Sequence, residues 1–176
     1  ERPVWARRDA RPAERRHPVL IYAPGAGDPA FDNSVMFEYL ASHGLVVVSA
    51  PSIGADASRL SYDALGIEAQ VRDLECLVGY VQSMLEADAE RIGTAGFSSG
   101  GLSSVLLALR NTRIRALISL DGAVRTTSFL QLARTFPHFD PQRLRTPTLG
   151  IVPAPDRARP GFGDESFLEQ AVYAEI

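Results

Sequence analysis

Gly96-Phe97-Ser98-Ser99-Gly100 is the stretch of this chain whose residue types and spacing suit chemistry, a match to G-x-S-x-G. A serine presented on a sharp strand-to-helix turn needs neighbours at −2 and +2 that carry almost no side chain, and glycine meets that need. Its hydroxyl then faces a helix N-terminus, where backbone N–H groups favour developing negative charge. The chemistry implied is nucleophilic attack on a carbonyl. Serine is a poor nucleophile until a base takes its proton, and a carboxylate holds that base in register. The oxyanion formed on attack needs two donors. One is expected from the N–H of Ser99, the residue after the nucleophile, and the other from Ala26 in the turn Pro24-Gly25-Ala26-Gly27. The bland alternatives are an ordinary Gly/Ser-rich turn at Ser98 and a plain tight turn at Gly25–Gly27.

The five-residue pattern gains force only from the elements around it. Ile92 to Phe97 reads as a short apolar strand, and Leu102, Val105, Leu106 and Leu109 mark one face of a helix starting near Ser99. Upstream, His17 to Ala23 and Leu45 to Ala50 are continuous apolar runs, the pattern of strands buried on both faces of a parallel sheet. Between them a helix is expected over Asn33 to Ser42, with Gly44 as its C′ residue. A long helix from about Tyr62 to Leu85 carries Ile67, Val71, Leu74, Val78, Val81 and Leu85 on one stripe. Ile114 to Leu120 is the next strand, ended by Asp121-Gly122. Ser128 to Thr135 follows as a helix, then a strand over Thr148 to Val152, a loop over Pro153 to Gly163, and a helix from Asp164. This alternation predicts a three-layer α/β/α domain with a doubly wound, mostly parallel sheet, formed by residues 1–176 as one unit. Ligands of such sheets bind at the carboxyl ends of the strands, where Ser98, Gly25 to Gly27, Asp121 and Asp156 all fall.

Composition narrows the function classes. At 176 residues with 45% hydrophobic and 22% charged content, the chain suits a soluble globular domain. A net charge of −3 offers no case for nucleic acid or an anionic membrane surface, and no apolar run is long enough to span a bilayer. All 18 basic residues are arginine, and those crowded into residues 1–16 read as a solvated edge segment. Cys76, the one cysteine, sits in a helical pattern and reads as a small buried hydrophobe; no intrachain disulfide is available. No metal site is expected, because the three histidines are scattered. No cofactor is expected either. Gly25-x-Gly27-x-x-Ala30 matches a dinucleotide fingerprint, but Pro29 interrupts it and no acid ends the following strand. The lone cysteine is compatible with a cytoplasmic or an exported domain, and the absence of an initial methionine leaves an upstream segment open.

Taken together, PVLIYAPGAG, LASHGLVVVSAP, ERIGTAGFSSGG and RALISLDG resemble the α/β-hydrolase superfamily, and within it the platelet-activating-factor acetylhydrolase-like and dienelactone-hydrolase-like esterases. The resemblance covers His17 to about Val152. It implies a serine esterase acting on short-acyl or small esters, lipid esters included, through an acyl-enzyme on Ser98. It also implies a chain short of the fold's last strand, with the presence of the first ones open. Two departures stand out: Pro24 occupies the usual histidine position before the oxyanion glycine, and dienelactone hydrolases proper use cysteine where this chain has Ser98. The acetylhydrolase-like branch implies Asp121 as the orienting acid, whereas most α/β-hydrolases place theirs after the later strand, here Asp156. The fold orders its triad Ser, acid, His. His17 and His43 belong at the amino-terminal sheet edge, and His138 satisfies the order only nominally, since the chain should by then have crossed to the far edge. The expected base is therefore a histidine outside this chain, with His138 a weak substitute. A non-catalytic binding protein of the same fold is the competing reading.

Overall fold

Unbroken burial from Val19 to Ala23 makes His17–Ala23 β1, the strand around which the sheet is laid. Val19, Ile21 and Ala23 pack on one face with Leu74, Val78 and Leu107, while Leu20 and Tyr22 pack on the other with Met36, Phe37 and Leu40. The computed structural model describes residues 4–12, 14–55, 60–121 and 127–151. Within them the order is β1, α1 (Ser34–Ser42), β2 (Val46–Ser49), α2 (Ala64–Val81), β3 (Ala87–Phe97), α3 (Ser99–Arg110), β4 (Ile114–Leu120), α4 (Thr127–Ala133) and β5 (Thr148–Ile151). All pairings are parallel and the strand order is β2-β1-β3-β4-β5. With α1 on one face and α2 and α3 on the other, the sheet is doubly wound, as the alternation predicts. The chain reverses direction across the sheet between β1 and β3, so a crevice opens at their carboxyl ends.

Helix ends follow local chemistry. Asp63 caps α2 by accepting from the Gly66 N–H at 2.8 Å. At the end of α1, Leu45 N–H bonds Leu40 O and Gly44 N–H bonds Ala41 O, with Gly44 at φ +86°. That is the two-bond left-handed termination expected of a C′ glycine.

Several expectations need correction. β2 is an edge strand with every residue only half-buried, because β1 pairs it on one side and no described strand pairs it on the other. Cys76 is exposed. It lies two residues beyond Leu74, about 200° around the helix from the buried stripe. Leu85 is 82% exposed, because α2 ends at Val81 before the stripe reaches it. β3 starts five residues earlier than its apolar run, since Ala87 and Asp88 pair with His17 and Pro18 ahead of a register shift between Pro18 and Val19. That irregularity sits where proline offers no N–H to the ladder. The loop and helix expected beyond Val152 lie outside the described residues, while residues 4–12 and 14–16 are exposed, as a solvated edge segment should be.

α2 and α3 are tied at their outer ends. The Glu68 carboxylate accepts from Arg110 Nη1 at 3.0 Å and Nη2 at 2.5 Å, and from Arg72 Nε at 3.0 Å. Hydrogen bonding to Arg110, then to Arg72, holds the carboxyl below its ordinary value of 4.5. A carboxyl depressed by folding stabilises the native state above its unfolded pKa, and that contribution is lost as pH falls through the folded one. Glu68→Gln is therefore expected to cost about 1 kcal/mol at neutral pH. The gap in melting temperature from the wild type should close as acid takes the pH below the ordinary carboxylate range and through the depressed folded value. A gap that persists in acid would mean the residue acts through packing alone.

Candidate active site

The turn at Ser98 is held in a conformation that few residues adopt. Ser98 has φ +52° and ψ −121°, between the end of β3 and the first residue of α3. Such backbone costs about 1–3 kcal/mol and persists only where the surroundings over-determine it. Here they do. The Ser98 N–H donates to Leu120 O at 3.1 Å on β4, and Ser98 O accepts from Gly101 N–H at 3.0 Å. A methyl at Gly96 would stand 2.1 Å from Gly100 O, and one at Gly100 would stand 2.1 Å from Ala23 O and 2.7 Å from Pro24 O. Both glycines are thus steric necessities: β3, α3 and the end of β1 approach too closely for any side chain. Ser98 itself is half-buried, and its side chain makes no capping hydrogen bond.

The Pro24–Gly27 turn lies directly against this elbow. Pro24 and Gly25 are buried, and the Cβ position of Gly25 is 3.2 Å from Phe97 Cδ1. Asp28 N–H closes the turn on Gly25 O at 3.0 Å, and Gly27, at φ +82°, donates to Ser52 O at 3.2 Å. The backbone N–H groups of Ala26 and Ser99 have no backbone acceptor among the described residues. An anion at the crevice would meet N–H groups that no backbone carbonyl of the described residues takes.

Asp121 follows Leu120, the residue whose carbonyl takes the Ser98 N–H, and so stands at the neighbouring strand end. It is half-buried at φ +44°, and its N–H donates to Ile151 O at 2.7 Å. Asp156 lies outside the described residues. None of the three histidines reaches this end of the sheet. His17 opens β1 with Nδ1 3.1 Å from Gly44 O, and His43 caps α1 with Nδ1 2.8 Å from Tyr39 O. His138 is exposed beside a cavity of about 570 Å³ that it lines with Glu68, Arg110 and Arg143. Arg110 ends α3 and Ser99 starts it, so that cavity is separated from Ser98 by the helix length, about 18 Å. Tyr22 offers no substitute base. Burial, reinforced by the charges of Asp32 and Asp28, pushes its phenol up to about 12, and its hydroxyl accepts from Asn33 Nδ2 at 2.5 Å. Among the described residues no cluster of histidine, cysteine and acidic side chains could hold a metal ion.

Sequence reasoning missed a buried polar network behind the crevice. Gln70 is 3% exposed on the inner face of α2, where its carboxamide meets Pro24, Ser52 and Ser103. The signal was present: residue 70 falls at i+3 from Ile67 on an otherwise apolar stripe, and a buried polar residue is the informative exception.

The sequence profile of the chlorophyllase family matches residues 10–146. Chlorophyllase type 0 of Chenopodium album is 26% identical over 132 residues, an alignment covering 69% of this chain and 38% of that protein. Ferulic acid esterase from Streptomyces cinnamoneus superposes with a TM-score of 0.55 at 28% identity, over 65% of this chain and 39% of its own. The α/β hydrolase GrgF from Penicillium sp. sh18 superposes with a TM-score of 0.54 at 23% identity, over 70% and 46%. The chain therefore spans less than half the length of each of these relatives.

Proposed function

This chain belongs to the chlorophyllase family, and we propose that it carries the nucleophile and oxyanion donors of a serine hydrolase acting on carboxylic esters. The observation that carries the reading is the strained Ser98 turn, wedged against the Pro24–Gly27 loop, where the Ala26 and Ser99 N–H groups have no backbone acceptor among the described residues. Ser98 Oγ attacks the ester carbonyl while a base takes its proton. The carbonyl oxygen, now negative, accepts from the N–H groups of Ala26 and Ser99. Collapse releases the alcohol, protonated by the same base, and water then hydrolyses the acyl-enzyme. Asp121 orients the base, with Asp156 as the alternative acid. The base is not one of this chain's three histidines, so an imidazole from outside these 176 residues completes the site. The family match and the esterase among the structural neighbours support an ester substrate. Small or short-acyl esters, lipid esters included, remain the proposed class, handled by one domain over residues 1–176.

The placement of His17, His43 and His138 favours a second reading, an ester-binding protein of this fold that does not turn substrate over. Fluorophosphonate labelling with peptide mapping separates the two. Label on the Ser98 peptide supports the hydrolase, and ester binding without label supports the second reading.

A further inference from the structure

We infer that Gln70 is a positioning residue that sets the spacing of the two oxyanion donors, an inference that rests on the serine-hydrolase reading above. Its carboxamide is hydrogen-bonded to both donor-bearing segments. Nε2 donates to Pro24 O at 2.9 Å, and Pro24 begins the loop that carries the Ala26 N–H. Oε1 accepts from Ser103 Oγ at 2.6 Å, and Ser103 lies one turn into the helix whose first N–H is Ser99. The second Nε2 hydrogen reaches Ser52 Oγ at 3.0 Å. Ser52 holds the far side of the same loop, since its O accepts from Gly27 N–H and its N–H donates to Asp28 O at 3.1 Å.

These contacts need an amide. Pro24 O only accepts, so the NH₂ end must face it, and the oxygen is then left for the Ser103 hydroxyl. Glutamate could take the Ser103 bond but would set a carboxylate against a carbonyl. Methionine fills the space and bonds neither. Gln70, Ser52 and Ser103 are all nearly inaccessible, at 3%, 1% and 0% exposure, so no water replaces a lost partner cheaply. The Pro24 carbonyl also lies close against α3, where a Cβ at Gly100 would stand 2.7 Å from its oxygen. The loop is thus clamped between α2 and α3, with the Ala26 N–H left over.

Gln70→Met, made in the protein complete with its base, tests the inference by kinetics on a chromogenic acetate ester, by the rate of fluorophosphonate capture at Ser98, and by amide hydrogen exchange. Oxyanion donors act on the transition state more than on bound substrate. The expected result is kcat lower by about 10–100-fold with KM within about threefold. Capture should slow in parallel, and exchange should be faster over residues 25–28. Gln70→Glu should fall at least as far. Unchanged kcat in folded Gln70→Met, a loss confined to KM, or unchanged exchange over that loop overturns the inference. If Gln70→Met does not fold, Ser103→Ala removes the α3 tether alone. It is expected to lower kcat by about 3–10-fold, and wild-type kcat would overturn the inference equally. Ser98→Ala separates this result from the parent reading. Turnover surviving in Ser98→Ala sinks the serine mechanism and this inference with it, whereas a dead Ser98→Ala beside an unslowed Gln70→Met sinks only the role of Gln70.

Discussion

In the protein complete with its base, Ser98→Ala is expected to lower ester turnover by roughly 10⁴–10⁶-fold while leaving the fold intact. The change removes one oxygen from a half-buried side chain that makes no capping bond, so no native hydrogen bond of the turn is lost. Alanine has the same Cβ as serine and meets the same steric cost at φ +52°. The Ser98 backbone bonds to Leu120 and Gly101 are untouched. Melting temperature should therefore stay within a few degrees while kcat collapses, and the variant should no longer react with fluorophosphonate. Residual activity above water would come from the Ala26 and Ser99 donors. Turnover like the wild type's would remove Ser98 from the mechanism altogether.

The second large effect is on stability. Gly100→Ala places a methyl 2.1 Å from Ala23 O, and both that oxygen and Pro24 O belong to the backbone of β1 and its following loop. No side chain can rotate away to make room, so α3 must lift from the sheet. Overpacking of this kind costs about 3 kcal/mol or more, beyond the usual range for side-chain crowding. The shift also breaks the contact between the elbow and the Pro24–Gly27 loop, so any folded fraction should label poorly at Ser98. Gly79→Ala is the matched control. It lies on the exposed face of α2 with nothing within 4 Å of its Cβ position, and is expected to stabilise by about 0.5–1 kcal/mol. Denaturant midpoints for the two variants should therefore move in opposite directions. A wild-type midpoint for Gly100→Ala would mean that the elbow is looser than its geometry states.

Both predictions start from residues that stand out in the sequence, and the reason is local. G-x-S-x-G, the apolar run of β1 and Gly44 after α1 each state a backbone requirement that a few neighbouring residues meet by themselves. β1 and β4 run where their apolar stretches do, His17–Ala23 and Ile114–Leu120, and in β1 burial on both faces leaves little room for polar residues. Family membership, too, was legible down to the superfamily, since those same stretches carry the resemblance.

Tertiary structure decided the rest. The edge position of β2, the early start of β3 and the exposure of Cys76 depend on which strand pairs with which and where a helix stops. No window of sequence holds that information. The separation of His138 from Ser98 came from α3 spanning the sheet between them, although chain order alone permitted their meeting. Gln70 shows the limit most plainly. Its partners lie 46, 18 and 33 residues away along the chain. Sequence marked it only as a polar residue on an apolar stripe, and folding supplied the carbonyl and hydroxyls that give that amide its purpose.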